Sequence, residues 1–252
     1  MTVLTALKSS ADVEQEVDVL GGGGFLVESG VYDCKIAVAY LTTADSGAMA
    51  LNVEMKATVD NQEKSIKQQF WMTSGTAKGL KTYYIDKKTN KKKGLPGFLQ
   101  ANALALLSVG KEIGELETEE RTISLYDYDA GKEIPTRVNV FSDLVGQDIT
   151  AGIFKQVVDK RAKNDQTGEY EPTGETREEN EVDKFFRTRD KLTTAEILGG
   201  ITEAVFHDQW AEKWTGITKN KAKGMTGAQA GVAGAPAAAA TQAGGPAKSL
   251  FS

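Results

Sequence analysis

Cysteine and histidine are almost absent, with one of each, Cys34 and His207. A single cysteine excludes an internal disulfide, and the pair together cannot furnish a zinc-type ligand set. Long apolar runs are missing too. No stretch approaches the roughly 20 residues that cross a bilayer, and the N-terminus has no basic segment leading into an apolar core, as a signal peptide would. These two absences predict an intracellular protein without membrane contact. No glycine-flanked serine elbow is present, and the formal charge of −5 argues against a general duplex-coating protein.

The charge that is present is sorted along the chain. Residues 61–100 carry nine basic and two acidic side chains, whereas residues 111–133 carry three basic and eight acidic. Within the basic stretch, Lys81 to Phe98 reads KTYYIDKKTNKKKGLPGF, six lysines interleaved with Tyr83, Tyr84 and Phe98. Lysines attract phosphates through counterion release, and exposed aromatics give unpaired bases a surface to stack on, so the combination suits single-stranded nucleic acid. The competing reading is a solvated hairpin tip whose lysines serve solubility alone.

Residues 1–24 are predicted to be a flexible arm, polar and acidic, closed by the run Gly21 to Gly24 that no regular element tolerates. From Val31 to Leu41 the residues Tyr32, Cys34, Ile36, Val38 and Tyr40 alternate with others, the period of a strand. Leu51, Val53, Met55, Ala57 and Val59 repeat the pattern, with Asn52, Glu54, Lys56 and Thr58 on the opposite face. A third strand places Ile66, Phe70 and Met72 inward and Lys67, Gln69 and Trp71 outward. Gly94-Leu95-Pro96 opens a helix through Leu107, with Phe98, Leu99, Ala103, Leu106 and Leu107 available to cover a sheet. Thr122 to Tyr128 and Ile134 to Phe141 read as strands joined by a turn at Asp129-Ala130-Gly131.

Ile153 to Val158 and Val182 to Thr188 form a further predicted pair, separated by a long acid-rich loop. That loop, Asp165 to Asp183, is a candidate to fold over the basic groove and compete for it. In the last strand Phe185, Arg187 and Arg189 are read as sharing one face, a second aromatic and basic combination. Thr193-Thr194-Ala195-Glu196 has the spacing of a capping box, and a helical segment over 193–218 would carry Phe206, Trp210 and Trp214 as one stripe docked on the sheet. From Gly224 on, sixteen of twenty-nine residues are Ala or Gly, so 219–252 reads as a disordered tail.

Three motifs come close to catalysis and fall short. Gly75 to Thr82 approaches a phosphate-binding loop, but Leu80 stands where the glycine before the lysine belongs, and Tyr83-Tyr84-Ile85 favours a strand where a helix is required. Asp45 with Glu54-Met55-Lys56 has the acid, acid-x-lysine order of magnesium nucleases, yet strand alternation already accounts for Glu54 and Lys56. Asp127-x-Asp129-x-Gly131 lacks the third acid and the distant glutamate of a calcium loop. No catalytic set, metal site or cofactor is expected.

The fold class expected is mainly β: a small closed or nearly closed barrel of the oligonucleotide-binding (OB) type over 25–192, with one inserted helix. On Glu28-Ser29-Gly30-Val31-Tyr32-Asp33, the alternating second strand and the Gly94 to Leu107 helix after a lysine-rich loop, the chain resembles phage-encoded single-stranded DNA-binding proteins of the OB fold. That resemblance implies a non-enzymatic accessory of DNA replication and recombination, coating single strands in the cytoplasm of an infected bacterium. It further implies a tail that recruits phage replication proteins through a terminal aromatic, here Leu250 and Phe251. The tail departs from that pattern, since Lys219 to Ser252 contains four lysines and no acid.

The candidate DNA contacts are Lys81, Lys87, Lys88, Lys91, Lys92 and Lys93 for phosphates and Trp71, Tyr83 and Tyr84 for stacking. Lys67, Phe185, Arg187 and Arg189 form a second tier. The alternatives are a structural or scaffolding virion protein, with the Gly/Ala tail as spacer, and a magnesium-dependent nuclease.

Overall fold

The computed structural model describes residues 26–127, 130–164, 168 and 170–223. Expectations for the arm 1–24, for Asp129 in the turn and for Leu250 and Phe251 lie outside these residues.

The alternating segments form the first three strands: β1 (Gly30–Thr43), β2 (Met49–Val59) and β3 (Gln62–Trp71), an antiparallel meander. One face of each strand is apolar. Cys34, Ile36 and Ala39 of β1 pair with Ala57, Met55 and Val53 of β2 and enter the core beside Ile66 and Phe70 of β3. A bulge between Ile36 and Val38 bends β1, which lets one edge serve two later strands in succession.

After β3 the chain leaves the sheet for a two-stranded hairpin, β4 (Tyr83–Ile85) and β5 (Lys92–Gly94), and returns as α1 (Pro96–Ser108). Leu95 is extended and Pro96 sits in the first turn, where its fixed φ and missing N–H cost nothing. The helix buries Ala101, Leu104, Ala105 and Leu107 on the sheet, while Leu99, expected inward, is 55% exposed. Truncating the fully buried Leu104 to alanine would cost about 2–5 kcal/mol. Gly97 is required by contact: a Cβ there would lie 2.2 Å from the Trp71 carbonyl oxygen and 2.6 Å from its nitrogen. Helix and strand end therefore touch backbone to backbone.

A second hairpin, β6 (Glu119–Asp127) and β7 (Lys132–Val140), joins β1 through Tyr40 and Leu41. Then come two long strands, β8 (Asp148–Lys163) and β9 (Tyr170–Phe186). The first half of β8 pairs with β1, and β9 follows β8 along its whole length. The acid-rich stretch expected as a loop is thus mostly strand. Its residues are polar on both faces because the outer half of this ribbon has no layer against it, so no hydrophobic period marks it.

The sheet does not close into a barrel, which corrects the closed form expected from sequence. Its order is β8-β1-β2-β3, with a short strand over Lys219–Asn220 and β9 on β8 and the β6–β7 hairpin on β1. Across the opening the β3 and β9 edges are joined where the Val182 N–H donates to Gln68 Oε1 (3.1 Å) and Phe70 and Phe185 meet edge to face at 5.8 Å, and from α1 the Gln100 amide donates to the Asp183 carbonyl. A groove of about 640 Å³ remains between the two edges.

The helical segment breaks at Gly199 and Gly200 into α2 (Thr194–Leu198) and α3 (Val205–Trp214). The capping box forms: the Thr193 side chain accepts from the Glu196 N–H (3.2 Å) and Glu196 Oε2 from the Thr193 N–H (2.8 Å). Burial pushes the Glu196 carboxyl upward, but hydrogen bonds from the Thr193 and Phe206 N–H groups hold it below the ordinary carboxylate range. Trp210 is buried on Gly152 and stacks with Phe154 at 5.3 Å, its Nε1–H donating to Asp183 (2.8 Å), and Trp214 meets Phe154 edge-on. The stripe docks as expected, except that Phe206 stays 37% exposed. Folded structure continues past 218, because β10 (Lys219–Asn220) adds in parallel to β8.

Candidate nucleic-acid interface

The basic stretch becomes the β4–β5 hairpin. Its root is fixed by the Ser74 N–H donating to the Lys81 carbonyl (2.9 Å), the Lys81 N–H to Ser74 Oγ (2.9 Å) and the Leu95 N–H to the Thr82 carbonyl (2.8 Å). Thr76 ties the same segment to the β1–β2 turn through the Ser46 carbonyl. The hairpin is therefore anchored beside Trp71, where α1 also meets β3.

Its tip is organised by Asp86. Oδ1 accepts from the N–H groups of Lys88 (2.8 Å) and Thr89 (2.9 Å), and Oδ2 takes the Lys93 ammonium. Lys93 foremost, then those backbone donors, pulls the Asp86 carboxyl down to about 2. Asn90 closes the turn at φ 51°, a left-handed conformation that asparagine tolerates.

This arrangement separates Lys93 from its neighbours. Among the described residues, Lys93 alone of the hairpin's six lysines is in an ion pair; Lys81, Lys87, Lys88, Lys91 and Lys92 have none. Elsewhere about half of the described lysines are matched, as in Lys35 with Asp148, Lys56 with Glu63 and Lys160 with Glu175, each at 2.7 Å. The hairpin concentrates uncompensated positive charge on an acidic protein.

Aromatic rings accompany it. Tyr83 and Tyr84 are adjacent in β4 and point to opposite faces. Lys92 lies over the Tyr83 ring, Nζ 4.6 Å from its centre, while Tyr84 is 46% exposed. Both tyrosines line a cavity of about 400 Å³ with Lys78, Lys81 and Ser74. Lys78 was not singled out from sequence. It sits in a 3₁₀ turn over Thr76–Lys78, three residues before Lys81, and the local charge count was its only signal.

Trp71 and Lys67 occupy the outer face of β3 as the alternation required. Trp71 is 43% exposed, and Lys67 is exposed with Glu54 at 3.6 Å. Here too sequence reasoning stopped short. Gln69 Nε2 donates to Asn52 Oδ1 (2.9 Å) and Asn52 Nδ2 to Thr42 Oγ1 (2.8 Å), a polar line across three strands beside Tyr40. A groove of about 590 Å³ runs from this line to Leu125 and Tyr126 of β6.

Apart from Lys67, the second tier does not join this surface. Phe185 lies in the core, 2% exposed against Phe70, and has no free face for a base. Arg187 is past the end of β9, bound in two-pronged fashion to Asp190 at 2.6–3.1 Å. Arg189 is exposed, its Nε 3.6 Å from the same Asp190 carboxylate. The shared face fails because β9 ends at Phe186 and a turn follows.

The near-motifs have ordinary occupations. Glu54 accepts from Ser65 (2.6 Å) and Lys56 is paired with Glu63. Gly75 to Thr82 contains the 3₁₀ turn and leads into β4, not a helix. Cys34 is buried, and desolvation first, then Asp33, pushes its thiol up to about 12. No group of three or more metal-ligating side chains occurs among the described residues, and no described helix is long and apolar enough to cross a membrane. In comparison with known proteins, no family model matches the chain and no curated protein matches it in sequence.

Proposed function

We propose that the chain binds single-stranded DNA without sequence specificity, the β4–β5 hairpin holding the phosphates and Trp71 and Tyr84 stacking bases. The observation that carries this reading is the set of five lysines without acidic partners on one hairpin, of which Lys81 lines a cavity with Tyr83 and Tyr84. Their phosphate contacts would be independent of sequence, and each stacked base is worth about 1–3 kcal/mol. The element order supports it as well: a β1–β2–β3 meander, a helix that follows β3 after the β4–β5 hairpin, and a β8–β9 pair returning along β1. We read this as an OB-type barrel opened between β3 and β9, enlarged by the β6–β7 hairpin. The resemblance to phage single-stranded DNA-binding proteins supports a role in phage replication and recombination.

The test is a titration with short oligo-dT and with duplex of equal length, followed by tryptophan fluorescence at low and high salt. Tight, salt-sensitive quenching by the single strand alone is the expected result. A response to neither nucleic acid overturns the proposal. So does unchanged affinity in a folded protein carrying Trp71→Ala, Tyr83→Ala and Tyr84→Ala together.

A further inference from the structure

Around the break between α2 and α3 the protein shows apolar side chains to solvent. Leu198 is 86% exposed, the highest value among the described large hydrophobic residues, followed nearby by Val205 at 50%, Ile201 at 46% and Phe206 at 37%. One residue gathers them. The Glu196 carbonyl accepts from the Ile201 N–H (2.9 Å), and its carboxylate accepts from the Phe206 N–H (2.8 Å). Both ends of the connecting loop are thus pinned beside Leu198. The rim carries exposed Glu203 and Asp208, with Lys184 5.8 Å from the Phe206 ring centre. Contiguous exposed apolar surface of this kind marks an interaction site.

We propose that this patch is the docking site for Leu250 and Phe251 of the same molecule. Residues 224–252 contain four large apolar side chains, and only Leu250 and Phe251 are adjacent. Lys248 precedes them and no acid occurs in that stretch, so the segment complements Glu203 and Asp208.

Reach agrees with charge. The Lys223 N–H donates to Asp159 on β8 (3.1 Å), and Phe206 packs on Phe186, which pairs with Thr150 of β8. The nine strand steps from Thr150 to Asp159 span about 30 Å. At flexible-linker stiffness, the 27 steps of Gly/Ala chain from Lys223 to Leu250 have a root-mean-square span of about 26–31 Å. Effective concentration is highest when tether and span match, and reaches the millimolar range. Docking of modest intrinsic affinity then suffices, and it withholds the same two side chains from other proteins.

The experiment is a comparison of amide NMR spectra of the full chain with and without Leu250→Ser and Phe251→Ser together. Amide shifts at Leu198, Ile201, Val205 and Phe206 are expected, undiminished by dilution. Val205→Asp with the tail intact should move the Leu250 and Phe251 signals to those of the free peptide Lys-Ser-Leu-Phe-Ser. Shifts absent from the patch, or tail signals identical in wild type and Val205→Asp, overturn the proposal. Shifts that fade on dilution as a larger species dissociates would assign the contact to a second copy and overturn the intramolecular form.

Discussion

Replacing Lys87, Lys88 and Lys91 with glutamine removes three of the five hairpin lysines that have no acidic partner. Each phosphate contact on a single strand contributes about 0.7 to the slope of log affinity against log salt. Five contacts give a slope of about −3.5, and two leave about −1.4. Between 50 and 200 mM salt the wild type should then lose about 130-fold in affinity and the triple variant about 7-fold. Lys93→Gln is the internal control. Its ammonium is engaged by Asp86, so the slope should change by less than one contact's worth. The assay is fluorescence titration with oligo-dT over a salt series, with circular dichroism to verify folding. A triple variant that stays folded and keeps the wild-type slope would refute the assignment of phosphate contacts to this hairpin.

Gly97→Ala should destabilise by about 1–3 kcal/mol through overpacking, because the new methyl meets Trp71 backbone at 2.2 Å. Helix propensity alone predicts a gain of about 1 kcal/mol, so the sign of the change in denaturant midpoint decides between them. For Asp86, the folded carboxyl lies at about 2 against an ordinary 3.8. A depressed folded value means its stabilisation of the hairpin tip is complete above pH 3.8 and is lost as pH falls towards 2. Carboxyl NMR titration should place the midpoint near 2, rising in Lys93→Gln, and a wild-type midpoint near 4 would contradict the Asp86–Lys93 contact.

Sequence was most informative where one face meets the core and the other meets water. β1, β2 and β3 announce themselves by alternation, and the same alternation put Lys67 and Trp71 outside. The capping box at Thr193 and Glu196 and the proline start of α1 are local chemistry and were legible for that reason. β9 was legible only at its C-terminal end, because the residues of the outer ribbon are polar on both faces and resemble a loop. Phe185 and Tyr84 differ in the opposite way: both are aromatics near basic residues in strands, one buried on Phe70 and the other half in solvent. Nothing local distinguishes them, since burial depends on whether a distant element, here β3, arrives on that side. Lys78 was hidden because its role comes from a cavity closed by Ser74 and Leu95 around it.

The acid-rich stretch beside the basic hairpin raises the question of whether one covers the other. In the ribbon, residues 155–163 and 170–181 carry five basic and six acidic side chains. Most of its acids are already engaged: Glu178 with Lys155, Glu175 with Lys160, Glu179 with Arg177, and Glu181 with Lys221. These paired acids gain little by moving onto the hairpin, because every new contact there breaks one they have. The hairpin differs in kind, since Asp86 is its sole acid and is consumed in shaping the turn with Lys93. Its remaining lysines have no internal partner to exchange, so the partner they can accept without a compensating loss is an anion from outside the fold. A polyphosphate chain with bases to lay on Tyr84 and Trp71 meets that demand with both of its chemical parts.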